Sequence, residues 1–269
     1  MKNIPKVLHL YWDRSPMSWL QTMTVDTFHK HNPDWTINVY VPIQSYEGKN
    51  TYIPDYIGED FFPRVENNPT VNIIEIDLND FCIRKDLHNI LRSDILRYRL
   101  LYDQGGVWSD FDILWLKPIT YLSEIANRDF DTIVCTHDKH MHYNIGVLMS
   151  SMLHPFYKIL IDKCNAIQRV ANAKPNHQEY GVVMWQSLFP KVATMLKTYP
   201  DMVKIDYPVF YPYSIHEMGR LYTLLDLSVI NKNTMCIHWF NGHELSKRYV
   251  NGKPIYVNCS MTKIIEEVI

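Results

Sequence analysis

The alternation of apolar and polar positions predicts a strand, a helix and a second strand at the start of the chain. The apolar run from Ile4 to Tyr11 is typical of a buried strand, and Thr36 to Val41 alternates like the next one. Between them, the residues from Trp19 to His31 repeat with helical periodicity and stop before Pro33. This order predicts a right-handed βαβ unit and therefore a parallel sheet.

The alternation of strands and helices continues along the chain. Further strands are predicted at Asn72–Ile76, Thr132–Cys135, Asn144–Met149, Val203–Ile205 and Met235–Phe240. Further helices are predicted at Pro155–Ala171, Val182–Phe189 and Val192–Thr198. Residues 44–69 are rich in Pro, Asn, Gly and Tyr, which indicates a small insertion made of a loop and a short helix. Because the sequence has no repeat and no clear linker, residues 1–269 are expected to form one α/β domain.

A helix predicted from Leu87 to Asp103 carries an acidic and a basic residue towards the core. At ~100° per residue, Asp94 and Arg97 fall on the arc that faces the core, where an unpaired charge is costly. A structural salt bridge and a functional pair are both compatible with this spacing. The solvent side of the helix is expected to hold Arg92, Arg99 and Asp103. Gly105 and Gly106 are expected to end the helix and turn the chain into the next strand.

Two carboxylates, Asp110 and Asp112, lie on the apolar strand predicted after this turn. Residues two apart on a strand point to the same side of the sheet. Such a pair of like charges is costly unless a cation lies between them, and hard oxygen ligands suit Mg²⁺ or Mn²⁺. The alternative is a pair of surface carboxylates on an edge strand, which the apolar neighbours Val107, Phe111 and Ile113 disfavour.

Composition narrows the class of protein. With 46% hydrophobic and 13% aromatic residues, the chain has enough apolar side chains for a substantial core. The 27 basic and 29 acidic residues give no electrostatic reason to expect a nucleic-acid partner. No apolar run approaches the ~18 residues of a transmembrane segment. Five scattered cysteines, an odd number without a CxxC pair, favour a reducing compartment, so a cytoplasmic location is expected.

A resemblance to a known family centres on Arg92–Ile113, which reads RSDILRYRLLYDQGGVWSDFDI. This segment resembles the core motif of the DXD-containing glycosyltransferases of family 32, which include relatives of the yeast initiating mannosyltransferase and the α1,4-galactosyltransferases. The weaker matches KVLHLYWDRSP, NIGVLMSSMLHPF and CIHWFNG extend the resemblance from about Pro5 to Gly242. The resemblance implies a GT-A fold with a mostly parallel, Rossmann-like sheet flanked by helices.

The resemblance also implies a reaction and the residues that perform it. It implies retaining transfer from a nucleotide diphosphate sugar, a UDP- or GDP-hexose, with Mn²⁺ or Mg²⁺ as cofactor. Asp112 matches the direct metal ligand, and Asp110 matches the partner that contacts the ribose, the sugar or a metal-bound water. Asp94 and Arg97 match the pair that holds sugar hydroxyls and offsets negative charge.

Four further positions match the pocket around the donor. Trp12 matches the position near the nucleobase, although a core aromatic at a strand end is an equal alternative. Ser93 and Trp108 match positions that line the same pocket. Asn144 matches a position on the sugar or acceptor side.

The C-terminal match places two aromatic residues at the site. His238 and Trp239 are implied to close the site over the diphosphate, with His238 as a contact to the metal or the phosphates. A satisfied core histidine is the alternative for His238. The loop here reads HWFNGHELSKRY and lacks the Ser-Trp that often follows in the family.

These features predict a metal-dependent hexosyltransferase of polysaccharide biosynthesis, with a glycan, a lipid or a protein as acceptor. A transferase that mainly hydrolyses its donor is an alternative within the same chemistry. A degenerate module that binds nucleotide sugars or glycans without turnover is the alternative from another class. A metal-dependent phosphohydrolase would need a larger cluster of ligands than the sequence offers.

Overall fold

The computed structural model describes residues 1–44, 56–137, 142–170, 192–253 and 257–268. The strands in chain order are β1 (Val7–Tyr11), β2 (Thr36–Pro42), β3 (Val71–Ile76), β4 (Gly106–Ser109), β5 (Ile113–Trp115), β6 (Thr132–His137), β7 (His142–Asn144), β8 (Val147–Ser150), β9 (Met202–Asp206) and β10 (Cys236–His238). The helices are α1 (Trp19–His31), α2 (Phe62–Glu66), α3 (Asn89–Asp103), α4 (Leu122–Ala126), α5 (Pro155–Val170), α6 (Val192–Thr198), α7 (Met218–Tyr222), α8 (Glu244–Val250) and α9 (Ser260–Val268).

The central sheet has the strand order β3-β2-β1-β4-β8-β6-β7, and β9 pairs with β6. The neighbours from β3 to β4 run parallel, as do β6 and β9, whereas β8 runs antiparallel to β4 and β6. Strand β10 pairs antiparallel with β5 in a separate two-stranded sheet. The α/β class and the mostly parallel centre expected of a GT-A fold are confirmed.

Helices cover both faces of the central sheet. Because side chains alternate along a strand, Leu8 and Leu10 of β1 point to one face and pack in the core shared with α1 and α2. Tyr11 points to the other face and packs in a second core with α3 and α5. A third core lies around β10 and the C-terminal helices α7, α8 and α9. The two-stranded sheet therefore joins the C-terminal part to the end of β4.

Most predicted elements are confirmed within a few residues. Helix α1 has the predicted bounds. A capping box formed by Ser18 and Gln21 stabilises its start. The single strand predicted at Asn144–Met149 is wrong, because β7 ends at Asn144 and β8 begins only at Val147. The helix predicted at Val182–Phe189 lies outside the described residues.

The predicted position of Arg92 is wrong, and one C-terminal helix was not predicted. Arg92 is buried, with 1% exposure, and is not on the solvent side of α3. Its guanidinium donates to backbone carbonyls of the segment before the helix, Leu87 at 3.0 Å and Lys85, which satisfies the buried charge. Helix α9 was not predicted, although its buried residues Met261, Ile264, Ile265 and Val268 have helical spacing.

The predicted glycine turn between α3 and β4 is confirmed. Gly105 and Gly106 have backbone φ angles of +65° and +95°, in a region that residues other than glycine rarely adopt. A Cβ on Gly106 would lie 2.6 Å from the carbonyl oxygen of Val7. The buried ring of His9 donates from Nε2 to the Gly105 carbonyl at 2.8 Å and thereby ties β1 to this turn.

We predict that His9 makes the fold sensitive to mild acid. Burial lowers the pKa of His9 to about 4, against 6.5 for an exposed histidine, and the Gly105 carbonyl only partly opposes this. Between these pKa values the unfolded chain binds a proton that the folded chain does not, so stability falls as the pH falls. Between pH 7 and pH 5, the unfolding free energy of the wild type should drop by about 2 kcal/mol more than that of His9→Gln. Urea unfolding at both pH values measures this difference, and equal pH profiles would contradict it.

Candidate active site

A cleft opens where β1 and β4 end beside the first half of α3. Strand β1 has β2 on one side and β4 on the other, so the strand order changes direction at β1. Open α/β sheets bind ligands at such a switch point. The cleft holds about 830 Å³ of empty space, including its open mouth. Its walls are formed by Tyr11, Trp12, Asp13, Gln21, Asn89, Ile90, Ser93, Arg97, Asp110, Phe111, Asp112, Asn241 and Gly242.

The two carboxylates are not on one strand, which corrects the sequence-based placement. Strand β4 ends at Ser109, and Asp110 donates its backbone N–H to the carbonyl of Gly146 at 2.8 Å. Phe111 and Asp112 then form a turn before β5 begins. The turn aims Phe111 into the core, where it meets Trp12 edge-to-face at 5.3 Å. The carboxylates therefore come together through a turn and not through strand alternation.

Asp112 is held by the last residue of β10 and by the segment that follows this strand. Because β10 pairs with β5, His238 lies opposite Ile113, and its Nε2 is 3.1 Å from Oδ1 of Asp112. The backbone N–H of Asn241 donates to Oδ2 of Asp112 at 2.9 Å. Burial opposes ionisation of this carboxyl, but the imidazole and the Asn241 N–H outweigh it, so the pKa of Asp112 is lowered. Asp112 is thus a preformed anion.

Arg97 joins the helix pair to the second carboxylate. Its Nη2 lies 2.8 Å from Oδ1 of Asp94 and 3.3 Å from Oδ1 of Asp110. Its Nη1 donates to the carbonyl of Ile145 at 2.6 Å, and its guanidinium lies 4.9 Å from the centre of the Trp108 ring. Burial raises the pKa of Asp94 to about 6, the Arg97 charge opposes this rise, and the Asp110 charge adds to it. Burial also raises the pKa of Asp110, again against the effect of Arg97.

Three neighbouring side chains are of the types that ligate divalent metal ions. Oxygen or nitrogen atoms of Asp110, Asp112 and His238 lie within 4.8 Å of one another. Two carboxylates crowded in a half-buried wall favour a cation between them, and their hard oxygens suit Mn²⁺ or Mg²⁺, while an imidazole adds a nitrogen ligand. The residues present therefore fit the ion that the resemblance implies.

Three of the other predicted residues lie in or behind the cleft wall. Trp12 and Ser93 line the cleft, and Ser93 accepts a hydrogen bond from Arg97 at 3.1 Å. Trp108 is buried behind the wall, where its indole N–H donates to Oδ1 of Asp110 at 2.9 Å. Trp108 therefore orients a carboxylate without lining the cleft.

Two predicted residues do not reach the cleft. Asn144 is half-buried on β7, where it pairs with Cys135 of β6. Trp239 is fully buried in the C-terminal core, and only its backbone serves the site, by donating to the carbonyl of Asp112 at 2.9 Å. The structure thus places the side chain of Trp239 under the site and not over it.

Several lining residues were not identified from the sequence. Asn89 stands four residues before Ser93 and eight before Arg97, so helical spacing along α3 contained a signal for it. Asp13 and Asn241 lie in loops, where periodicity carries no information. They reach the cleft only because the fold brings both loops to the end of β4.

Comparison with known proteins supports the interpretation of this geometry. Residues 1–131 match the family model described as a glycosyltransferase sugar-binding region containing a DXD motif. This region of the chain is therefore similar to that family. The match includes Asp94, Arg97 and the DXD motif Asp110–Asp112, and it confirms the resemblance seen in the sequence.

Named relatives match shorter stretches. An O-glycosyltransferase, braB, of Annulohypoxylon truncatum is 25% identical over 125 residues, which are 43% of this chain and 26% of that protein. The initiation-specific alpha-1,6-mannosyltransferase of Saccharomyces cerevisiae is 58% identical over 31 residues, which are 12% of this chain and 6% of that protein. The chain therefore spans well under half the length of these curated relatives.

Solved structures of glycosyltransferases align over most of the chain. The PaToxG glycosyltransferase aligns with a TM-score of 0.49 and 17% identity, over 97% of this chain and 82% of its own. The galactosyltransferase LgtC, in complex with donor and acceptor sugar analogues, aligns with a TM-score of 0.44 and 10% identity, over 98% and 100%. Within the described residues, no helix has the length and apolar character to cross a bilayer.

We predict that Arg97→Met strongly destabilises the fold. The substitution leaves Asp94, which is 4% exposed, without its counter-charge, so we expect a loss of about 3–5 kcal/mol in unfolding free energy. Lys158→Met, which breaks the exposed ion pair with Asp162, is the matched control and should cost about 1 kcal/mol or less. Urea unfolding measures both, and a similar small loss for the two variants would contradict the prediction.

We also predict that Gly146→Ala weakens metal binding while the protein stays folded. A Cβ at this position would lie 3.0 Å from the Tyr211 hydroxyl, 3.2 Å from Oδ2 of Asp110 and 3.3 Å from Cδ2 of His238, so these groups must move by a few tenths of an ångström. Titration with Mn²⁺ followed by calorimetry should show at least about tenfold weaker binding, as is typical when the groups that orient metal ligands are disturbed. Gly219→Ala is the control, since its nearest neighbour would be 3.8 Å away. Unchanged Mn²⁺ affinity in Gly146→Ala would refute the proposed arrangement of ligands.

Proposed function

We propose that this protein is a metal-dependent, retaining glycosyltransferase that moves a hexose from a UDP- or GDP-sugar to a glycan, lipid or protein acceptor. The observation that carries the proposal is the convergence of Asp110, Asp112 and His238 beside the buried Asp94–Arg97 pair. The family match of residues 1–131 supports the glycosyltransferase class.

A metal ion at the candidate site would stabilise the charge of the leaving group. Cleavage of the bond between sugar and diphosphate develops negative charge on the departing nucleotide. Mn²⁺ or Mg²⁺ held by Asp110, Asp112 and His238 would supply the positive charge that stabilises this leaving group. Asp112 is ready for this role because neighbouring groups hold it ionised.

The buried Asp94–Arg97 pair would position the groups that hold the sugar. Arg97 contacts both carboxylates, so it fixes Asp110 next to the helix face that Ser93 and Arg97 present to the cleft. Ser93 and the carboxylate of Asp110 are hydrogen-bonding groups of the kind that hold sugar hydroxyls. As the sugar becomes cation-like, nearby carboxylates stabilise it.

We also propose that a glycan, lipid or protein acceptor binds at the mouth of the cleft and that the protein acts in the cytoplasm. The cleft is open at its mouth, which leaves room for an acceptor hydroxyl beside the sugar, as polysaccharide synthesis would require. The five cysteines, all within the described part of the chain, form no disulfide bond, which supports a reducing, cytoplasmic environment.

A nucleotide-release assay tests the proposal. Purified protein with Mn²⁺ and an acceptor mixture should release nucleotide from one of UDP-glucose, UDP-galactose, UDP-N-acetylhexosamines and GDP-mannose. Asp112→Asn removes one charge of the metal site and should lower release by at least about a hundredfold, as should excess chelator. The anomeric configuration of the product, read by NMR, tests retention.

The outcomes separate the proposal from its alternatives. Binding of a nucleotide sugar without release would indicate a module that binds without turnover. Full activity in Asp112→Asn, or in excess chelator, would overturn metal-dependent transfer at this site.

A further inference from the structure

The hydroxyl of Tyr211 lies beside the candidate metal site. Tyr211 stands between β9 and α7, and it is buried, with 3% exposure. A Cβ on Gly146 would lie 3.0 Å from this hydroxyl, 3.2 Å from Oδ2 of Asp110 and 3.3 Å from Cδ2 of His238. Because Gly146 has no side chain, the hydroxyl comes close to two of the three candidate ligands.

Neighbouring groups hold the Tyr211 ring in place. The ring stacks on Tyr207, with 5.0 Å between the ring centres and an angle of 18°, and it packs against the His238 ring at 5.2 Å. The backbone N–H of His238 donates to the carbonyl of Phe210 at 3.3 Å, so β10 also holds the chain just before Tyr211. These contacts keep the hydroxyl at a fixed place beside Asp110.

The hydroxyl is a donor without an acceptor. Its oxygen is buried and has no hydrogen-bond partner in the part of the chain that the structure describes. Burial raises the pKa of Tyr211 well above its ordinary value, and the Asp110 charge adds to this rise, so the hydroxyl keeps its proton. A buried hydroxyl without a partner is costly, and such a group in a native protein calls for an explanation.

Asp110 offers the matching acceptor. Its Oδ1 already receives the Trp108 indole N–H at 2.9 Å and lies 3.3 Å from Nη2 of Arg97. Its Oδ2 is the oxygen beside the Tyr211 hydroxyl. A carboxylate oxygen has two lone pairs, so Oδ2 has room for a metal ion and for a hydroxyl donor together. Hydrogen bonds of this kind commonly orient the carboxylates that bind metal ions.

We propose that Tyr211 is a positioning residue of the metal site, and that its hydroxyl donates to Oδ2 of Asp110 when an ion binds. This inference rests on the metal-dependent function proposed above. Ion binding would bring Asp110 nearer to His238, which lies on the same side of Gly146 as the hydroxyl. The buried hydroxyl then gains its partner only in the metal-bound protein, so the new hydrogen bond adds to the affinity for the ion.

Tyr211→Phe removes the hydroxyl and keeps the ring, so it tests this inference with little change in packing. In calorimetric titrations with Mn²⁺ alone, the variant should bind at least about tenfold more weakly than the wild type, as is typical when a group that orients a metal ligand is lost. In urea unfolding of the metal-free protein, its midpoint should equal or exceed that of the wild type, because the hydroxyl has no hydrogen bond to lose.

Tyr213→Phe is the matched control. Tyr213 is also buried, and its hydroxyl donates to the carbonyl of Asp226 at 2.6 Å. Loss of this hydrogen bond should lower the urea midpoint of the metal-free protein. The Mn²⁺ affinity of this variant should stay at the wild-type value, because the Tyr213 hydroxyl contacts none of the candidate ligands.

The nucleotide-release assay provides a second readout. In Tyr211→Phe the Mn²⁺ concentration for half-maximal release should rise by at least about tenfold, in line with the weaker binding. The rate at saturating Mn²⁺ should stay near that of the wild type, because the three candidate ligands are unchanged.

The outcomes separate this inference from the function on which it rests. Wild-type Mn²⁺ affinity in Tyr211→Phe, with or without a lower urea midpoint, overturns the role of Tyr211 and leaves the proposed function standing. Failure of the wild type to bind Mn²⁺ overturns the metal dependence of the proposed function together with this inference.

Discussion

The site depends on one buried guanidinium. Arg97 is 3% exposed, and its guanidinium pairs with Asp94 on its own helix and with Asp110 just after β4. Three charges at the edge of a hydrophobic core are stable only when they are paired and hydrogen-bonded, and Arg97 meets this condition with two carboxylates and the Ile145 carbonyl. Its position fixes α3 against β4 and holds Asp110 in the cleft wall.

The backbone around this cation is built to deliver the second carboxylate. The glycine turn at Gly105 and Gly106 sends the chain from α3 directly into β4, and the turn at Phe111 and Asp112 leads from β4 to β5. Strand β10 pairs with β5 and so places His238 beside Asp112. The candidate metal site therefore joins two parts of the chain that are far apart in sequence, and the C-terminal core beneath β10 supports the histidine.

The fold was predictable where local pattern decides it. Helical periodicity identified α1 and the core-facing positions of Asp94 and Arg97, because burial of one helix face leaves a repeat in the sequence. The strand assigned to Asp110 and Asp112 was wrong, since an apolar stretch with two carboxylates looks the same whether it is straight or turned at Phe111. The two carboxylates nevertheless lie close together, because the turn at Phe111 brings them to the same side of the cleft wall.

The rest of the site depends on tertiary contacts that leave no periodic signal. Asp13 and Asn241 lie in loops, and each reaches the cleft only through the strand that precedes it. Trp239 shows the reverse case. Its place beside His238 suggested a contact with the ligand, but strand alternation after β10 turns its side chain into the core.

The most direct test of this account is anomalous diffraction from crystals soaked with MnCl₂ and a nucleoside diphosphate. The account predicts a manganese peak between the carboxylates of Asp110 and Asp112 and the imidazole of His238, with the nucleotide extending along α3. A manganese ion held by other residues, or a nucleotide bound outside this cleft, would contradict it.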